Sequence, residues 1–218
     1  MDRSVTIIDY GIGNISSVKR ALELCGATVK LSSDPKDILH SGRVVLPGVG
    51  AFADGMEGLR SRDLIAPLKE FVKSGRPFLG ICLGMQLLMD ASEEFGEHEG
   101  LGMISGKVSA IPNVDQNGDK IRIPHIGWSE ITTRGHDGDT WDNSILTGIP
   151  QQSSVYFVHS FRVQPANRNM VLAVTSYYNH EITGVIRSGN IYGCQFHPEK
   201  SGHVGLKIMN NFVNHNLG

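Results

Sequence analysis

The architecture of this chain is best recognised from one segment, Pro77-Phe78-Leu79-Gly80-Ile81-Cys82-Leu83-Gly84-Met85-Gln86. Its first half is an apolar run that predicts a buried strand over residues 77–81, and the pattern from Met85 onward predicts a helix. A cysteine between two glycines at a strand-to-helix turn is typical of a nucleophile elbow, with sulfur in place of a serine oxygen. Cys82 is therefore a candidate nucleophile, although free cysteines also serve as small buried side chains.

The sequence on either side of this segment alternates between strand and helix patterns. Strands are predicted over residues 5–9, 27–31 and 43–46, and helices over 15–25 and 63–73. This alternation indicates an α/β fold with a doubly wound, mostly parallel sheet.

The second half of the chain has a different texture, with shorter strand patterns and more Gly, Asn and Asp. Strands are predicted over residues 107–111, 128–132, 154–157 and 170–176, with polar loops over 113–120 and 134–143 and a last helix over 205–213. We expect added antiparallel strands here, and a single domain spanning residues 1–218.

Bulk composition excludes several classes of function. With 218 residues, 40% hydrophobic content and a net charge of −2, the chain has no electrostatic reason to bind nucleic acid or a membrane surface. The cysteines Cys25, Cys82 and Cys194 form no CxxC pair, so a reducing, cytoplasmic location is expected. The histidines show no HxH or HExxH spacing, and we expect neither a metal nor another cofactor.

Two glycine-rich turns follow predicted strands. Gly11-Ile12-Gly13-Asn14-Ile15-Ser16 approaches a dinucleotide fingerprint, with Asp34 at the distance of a ribose-binding acid, but Ser16 replaces the third small residue and a tight turn is favoured. Pro47-Gly48-Val49-Gly50 lacks the Lys-Ser/Thr of a phosphate loop. It can instead present bare N–H groups to an oxyanion, on the same sheet edge as Cys82.

A base for the thiol is predicted near the end of the chain, in Gln195-Phe196-His197-Pro198-Glu199. His197 lies at the end of a short predicted strand. Glu199 follows two residues later, after Pro198, which stiffens the turn. A carboxylate there can hold one imidazole nitrogen while the other faces the sulfur. The order Cys82, His197, Glu199 on an α/β chain therefore predicts a catalytic triad.

Together these motifs resemble those of class I (triad) glutamine amidotransferases, which have a flavodoxin-like fold. The segments Asp9-Tyr10-Gly11-Ile12-Gly13-Asn14, Pro124-His125-Ile126-Gly127-Trp128 and Tyr156-Phe157-Val158-His159-Ser160 narrow the resemblance to the glutaminase subunits of imidazole glycerol phosphate synthases. The matching motifs run from residue 9 to residue 199, so the resemblance covers nearly the whole chain.

The resemblance implies hydrolysis of L-glutamine by Cys82, with His197 as base and acid and Glu199 as its orienter. It implies an oxyanion hole formed by the backbone at Val49, Gly50 and Leu83. In relatives, the peptide near Val49 reorients when the partner subunit binds its ligand. The implied glutamine pocket contains Gly50, Gln86, Glu94, His159, Ser160 and Phe161.

The resemblance also implies a partner for the released ammonia. That partner is a cyclase subunit with a (β/α)8-barrel fold, paired as a heterodimer in histidine biosynthesis and docked near Asn14, His125 and Trp128. Ser129 and Phe161 depart from residues that are frequent in relatives, as does a long loop at 114–120. Three alternatives therefore stay open: a glutaminase serving a cell-surface sugar amidotransferase, a catalytically silent interaction subunit, and a stand-alone cysteine hydrolase.

Overall fold

The computed structural model describes residues 2–135 and 140–214. The middle of the predicted loop 134–143, at residues 136–139, and the ends of the expected domain 1–218 lie outside the described residues. Helices and strands follow the chain in the order β1 (Ser4–Ile8), α1 (Ile15–Leu24), β2 (Thr28–Ser32), α2 (Pro35–His40), β3 (Arg43–Gly48), α3 (Phe52–Arg60), α4 (Ile65–Lys73), β4 (Phe78–Cys82), α5 (Leu83–Leu87), β5 (Ala91–Ser92), β6 (His98–Glu99), β7 (Gly106–Ala110), β8 (His125–Ile131), β9 (Ser153–His159), β10 (Phe161–Pro165), β11 (Val171–Tyr177), β12 (His180–Ser188), β13 (Ile191–Cys194) and α6 (Gly202–Asn214), with short 3-10 helices at Arg168–Met170 and Pro198–Lys200.

The main sheet has seven strands in the order β11-β12-β13-β4-β3-β1-β2. Neighbours from β2 to β13 run parallel, whereas β12 and β11 are antiparallel. The parallel part has the strand order of a flavodoxin-like sheet, in which ligands bind at the carboxyl ends of the strands. The predicted doubly wound α/β fold with added antiparallel strands is confirmed.

Apolar residues cover both faces of the sheet, because parallel strands are buried on each side. In β4, Leu79 and Ile81 pack on the layer that contains α1 and α6. Phe78 points the other way and packs on the layer formed by α2 to α5. The carboxyl end of β4 is thus held between two packed layers.

The second half of the chain adds two smaller sheets. One contains β10, β7, β5 and β6, and the other is the β8–β9 hairpin. A bridge between Thr132 and Val174 joins the hairpin to β11. The four strands predicted here correspond to β7, β8, β9 and β11, with β8 beginning three residues earlier than expected. Among the described residues, no helix combines the length and the apolar character needed to cross a membrane.

Several local details differ from the sequence predictions. The helix α3 was not predicted, because Gly55 and Gly58 interrupt its apolar spacing. Asparagine is a favoured N-cap residue and Asn14 occupies that position in α1, yet its side chain makes no capping hydrogen bond. Asp34 does cap a helix, since its carboxylate accepts the N–H of Lys36 at the start of α2.

Candidate active site

Cys82 lies at a strained turn between β4 and α5. Its backbone has φ 54° and ψ −110°, a combination that is costly for a residue other than glycine. A Cβ at Gly84 would lie 1.8 Å from the carbonyl oxygen of Leu46, and a Cβ at Gly80 would lie 2.6 Å from that of Gly84. The two glycines therefore let the turn fold tightly against β3, which is the packing that a nucleophile elbow needs.

The glycine loop after β3 lies beside this turn. Gly48 pairs with Cys82 in the β3–β4 register. Tyr10 Oη donates a hydrogen bond to the Pro47 carbonyl oxygen at 2.7 Å and fixes the start of the loop. Further on, Gly50 has φ +103°, and a Cβ there would meet nothing within 4 Å. The backbone around Val49 and Gly50 is therefore close to the sulfur and sterically free to change orientation.

His197 and Glu199 form a buried pair at the other side of Cys82. The Nδ1 of His197 lies 2.8 Å from Oε1 of Glu199, and the two side chains are 2% and 1% exposed. The backbone N–H of His197 donates to the Tyr156 carbonyl at 2.9 Å. Ser201 Oγ donates to the His197 carbonyl at 2.7 Å and accepts the Tyr156 N–H at 3.0 Å. Strand β9 thus holds His197 in place.

The electrostatics of His197 suit a proton carrier. Burial by itself lowers the pKa of His197, but hydrogen bonding and charge interaction with Cys82 and Glu199 outweigh it and raise that pKa to about 9. Since Glu199 engages Nδ1, Nε2 is the nitrogen left for the sulfur, and it has no other hydrogen-bond partner among the described residues. At neutral pH His197 is therefore an imidazolium, placed beside the Cys82 sulfur.

One cavity brings the predicted residues together. It has a volume of about 640 Å³ and opens to solvent beside Cys82 and His197. Glu199 lies behind His197 rather than in the wall. All the residues implied for the oxyanion hole and the glutamine pocket line this cavity, namely Val49, Gly50, Leu83, Gln86, Glu94, His159, Ser160 and Phe161.

Two of these polar side chains also form hydrogen bonds to the backbone around the cavity. Glu94 accepts the backbone N–H of Phe52, the first residue of α3, at 2.7 Å, and burial raises the pKa of its carboxyl. Gln86 donates through Nε2 to the Phe161 carbonyl at 3.2 Å. Leu83 begins α5, so its N–H lacks a partner within the helix and can face an incoming oxygen.

The residues predicted to dock a partner occupy different depths. Trp128 is 57% exposed on β8, and Ile126 on the same face is also 57% exposed. Asn14 is half-buried. His125 contradicts the prediction of a surface contact: it is 1% exposed, because odd-numbered residues of β8 point inward, and it stacks between Phe157 and Tyr177.

His125 belongs instead to an inner chain of histidines. Its Nδ1 lies 3.1 Å from Nε2 of His159, whose Nδ1 lies 2.8 Å from the Phe161 carbonyl oxygen. Because a carbonyl only accepts, His159 carries its proton on Nδ1, and His125 must donate to it. Burial lowers the pKa of His125 to about 4 and that of His159 to about 3, so both are neutral.

Sequence reasoning missed two residues, one at the cavity rim and one buried behind the cavity wall. Phe95 is 88% exposed at the rim, and only its position after Glu94 could have indicated it. Gln195 is completely buried next to Cys82, and a polar residue in the apolar strand before His197 was the available signal. Within residues 2–135 and 140–214, no group of three or more His, Cys, Asp or Glu side chains is placed to hold a metal ion.

Comparison with known proteins identifies the family of this chain. A family model described as glutamine amidotransferase class-I matches residues 6–216. A Legionella pneumophila protein named imidazole glycerol phosphate synthase subunit HisH 1 is 52% identical over 210 residues, which is 96% of this chain and 98% of that protein. A Geobacillus protein named imidazole glycerol phosphate synthase subunit HisH is 45% identical over 209 residues, covering 96% and 95%.

The solved structures support only the fold, because their sequence identity to this chain is low. A protein described as a glutamine amidotransferase superposes with a TM-score of 0.70 at 16% identity, covering 96% of this chain and 97% of its own. The PurLQS structure from Thermotoga maritima gives a TM-score of 0.68 at 18% identity, covering 98% and 99%.

Proposed function

Because the chain belongs to the class-I glutamine amidotransferase family, we propose that it is the glutaminase subunit of an imidazole glycerol phosphate synthase in histidine biosynthesis. It hydrolyses L-glutamine and passes the ammonia to a cyclase. The observation that carries the chemistry is the convergence of Cys82 and His197, backed by Glu199, on one cavity. The named relatives favour the histidine pathway over a sugar amidotransferase.

The proposed reaction begins with the Cys82 thiolate attacking the carboxamide carbon of glutamine. The new S–C bond pushes electrons onto the oxygen, and the tetrahedral intermediate then breaks its C–N bond. The His197 imidazolium gives its proton to the departing nitrogen, so ammonia leaves and a glutamyl thioester remains. Neutral His197 next takes a proton from water, whose oxygen attacks the thioester carbon. The C–S bond then breaks, which releases glutamate and restores the Cys82 thiolate beside protonated His197. Glu199 keeps the imidazole oriented through both halves.

The oxyanion of each intermediate would be stabilised by backbone N–H groups at Leu83 and in the Val49–Gly50 loop. Removing one such donor in comparable enzymes costs about 10²–10³ in rate, so completion of the hole can control activity. Gly50 has room to reorient, and Val49 is 40% exposed at the cavity mouth. We propose that a bound partner sets this loop, and that the isolated chain hydrolyses glutamine slowly.

The proposed partner is a (β/α)8-barrel cyclase that docks on the outer face of the β8–β9 hairpin. Ile126 and Trp128 form this docking face together with Tyr156 and Val158, which pair with them across the hairpin. Such an exposed apolar patch beside polar loops suits a protein interface. A sealed contact here would also keep ammonia from being protonated in water.

The cytoplasm is the proposed location, because the three cysteines are free and the named relatives belong to amino-acid biosynthesis.

The experiment is glutamate release by the purified chain, alone and with the barrel cyclase and its formimino carboxamide ribotide. We expect the complete mixture to raise the rate at least about 10²-fold, the size of one oxyanion donor. High activity without the cyclase would favour a stand-alone hydrolase, and no activity in the complete mixture would favour a silent interaction subunit.

A further inference from the structure

Gln195 is a completely buried amide that contacts the sulfur of Cys82. It follows β13, where its backbone N–H donates to the Gly184 carbonyl at 2.9 Å. Its side chain turns towards the elbow, and Nε2 lies 3.8 Å from Sγ of Cys82. This distance is within hydrogen-bonding range for the larger sulfur atom. None of the triad steps described above uses this contact.

The neighbouring amide fixes which end of Gln195 faces the sulfur. Gln86 donates through Nε2 both to the Phe161 carbonyl oxygen and to Oε1 of Gln195, each at 3.2 Å. A backbone carbonyl only accepts, so the nitrogen of Gln86 must point this way. Gln195 must then present its oxygen to Gln86 and its NH₂ group to Cys82. The hydrogen-bond network therefore determines the orientation of the Gln195 amide.

The other groups around the sulfur divide by which form of Cys82 they favour. His197, from the segment after β13, favours the thiolate through its positive charge. The Val158 carbonyl oxygen of β9, 3.9 Å from Sγ, can accept from a thiol but repels a thiolate. Tyr10 lies in the loop after β1. Burial raises the pKa of its hydroxyl, and the nearby Cys82 raises it further. Neutral His159 and buried Glu94 line the same cavity.

We propose that Gln195 is a thiolate-stabilising residue, which donates a hydrogen bond to the Cys82 sulfur and is held in that orientation by Gln86. Hydrogen bonds to a charged partner are about twice as strong as neutral ones, so the donor favours S⁻ over S–H. Its role in glutamine hydrolysis rests on the proposed function. Gln195 also offsets the Val158 carbonyl oxygen, which favours the thiol.

The test is the pH dependence of Cys82 alkylation by iodoacetamide, followed on the Cys82 peptide by mass spectrometry in a Cys25→Ser background. Cys25 is half-buried and remote, and its replacement removes a competing thiol. We expect Gln195→Met to move the midpoint of the alkylation profile up by about one pH unit. The plateau rate at high pH should change less than about twofold.

A second variant separates the donor from the packing. Gln195→Glu keeps an acceptor for Gln86 but, once ionised, offers no donor to the sulfur, so its midpoint should rise at least as far. If Gln195→Met does not fold, the Gln195→Glu variant alone provides the test. The control is Asn211→Asp, which also replaces a buried amide. Asn211 donates to the carbonyls of Ile145 and Thr147 rather than to the sulfur, so the alkylation midpoint should stay at the wild-type value.

An unchanged midpoint in the folded Gln195 variants would overturn the proposal, even if their activity fell. The assay needs neither glutamine nor the cyclase. If the wild-type complex failed to hydrolyse glutamine, the proposed function would be wrong, while the effect of Gln195 on the thiol would still be measured.

Discussion

Cys82 and His197 lie in a buried site where the charge of His197 depends on its neighbours. The pKa of His197 rises to about 9 although burial opposes it, because Cys82 and Glu199 both favour the imidazolium. The backbone strain at Cys82 persists because tight packing around Gly80 and Gly84 leaves the turn no alternative. At the scale of the residue, a rigid turn holds the Cys82 sulfur beside a protonated His197.

Replacing Glu199 should test this electrostatic account. In Glu199→Gln the carboxylate charge is lost, so burial weighs more heavily and the pKa of His197 should fall. His197 carries its proton below about pH 9 in the wild type, and the alkaline limb of kcat/KM should therefore move to lower pH. We expect kcat to drop by about 10²-fold, the usual range for general acid–base catalysis.

The matched control is Glu93→Gln, which removes a carboxylate that pairs with Lys107 on the surface at 2.6 Å. Its pH profile should be unchanged. A Glu199→Gln profile that overlays the wild type would show that Glu199 does not set the charge of His197.

Sequence patterns identify the triad because each member belongs to a short local motif. Gly80 to Gly84 and His197 to Glu199 need only their neighbours to be recognised. Gln195 and Ser201 were missed because their roles depend on contacts with Cys82 and Tyr156, which are far apart in sequence. His125 was assigned to the docking face from the family resemblance, and a motif match does not say which face of β8 a side chain occupies. The register with β9 and the burial of β8 show that His125 points inward.

The β8–β9 hairpin is an element with buried, neutral histidines. The pKa values of His125 and His159, about 4 and about 3, lie below the ordinary value of 6.5. The unfolded chain therefore takes up protons first, and stability should be lost as pH falls from about 6.5 towards 4. A phenylalanine at position 125 cannot take up a proton in the unfolded chain. Urea titrations should therefore show that acid lowers the free energy of unfolding of His125→Phe by about 1–2 kcal/mol less than that of the wild type.

The control for this prediction is His203→Gln, since His203 is exposed on α6. Its variant should lose stability with acid as steeply as the wild type. Equal acid sensitivity of His125→Phe and the wild type would contradict the assignment.

Helix α6 packs unusually close to the segment that carries Glu199. A Cβ at Gly205 would lie 1.9 Å from the Pro198 carbonyl oxygen, which is backbone and cannot move alone. We expect Gly205→Ala to lower the free energy of unfolding by about 1–3 kcal/mol or more. Since Pro198 adjoins both His197 and Glu199, glutamate release should fall as well.

Thermal unfolding and glutamate release would measure both effects. Gly184→Ala is the matched control, because a Cβ there meets its nearest atom at 3.4 Å, an ordinary contact. If both variants unfold at the same temperature, the close approach of α6 does not constrain the site.

Whole elements differ in how far the sequence predicts them. The strands β1, β3 and β4 are short, mostly apolar runs between clear turn signals, so their pattern suffices. Helix α3 was not predictable, because Gly55 and Gly58 weaken its pattern. These glycines are explained by packing: a Cβ at Gly58 would lie 2.7 Å from the Tyr10 carbonyl oxygen, and one at Gly55 would lie 3.2 Å from Leu83 and Leu87.

At the scale of the whole molecule, the proposed docking face and Cys82 are separated by a single strand. Val158 belongs to the docking face and pairs with Ile126, yet its carbonyl oxygen lies 3.9 Å from the Cys82 sulfur. Tyr156, opposite Trp128, holds the backbone of His197. A partner that presses on this face is therefore in direct mechanical contact with the site.

Trp128→Ala should weaken this coupling without damaging the chain. Exposed aromatic anchors commonly contribute 2 kcal/mol or more to an interface, so cyclase affinity should fall by about 30-fold. Basal glutamate release and thermal stability should stay unchanged. Calorimetric titration with the cyclase measures the affinity, and Leu24→Ala, an exposed apolar residue that is 71% exposed on α1, is the control. Equal cyclase affinity in both variants would place the interface elsewhere.

The central claim is that Cys82 is the nucleophile that opens glutamine. It is tested most directly by treating the chain and its cyclase partner with a glutamine-like electrophile and locating the adduct by mass spectrometry, while glutamate release is followed in parallel. We predict a single adduct on Cys82, loss of activity in step with labelling, and neither adduct nor glutamate release in Cys82→Ala. Continued glutamate release by Cys82→Ala, or full activity after Cys82 is completely labelled, would contradict the account.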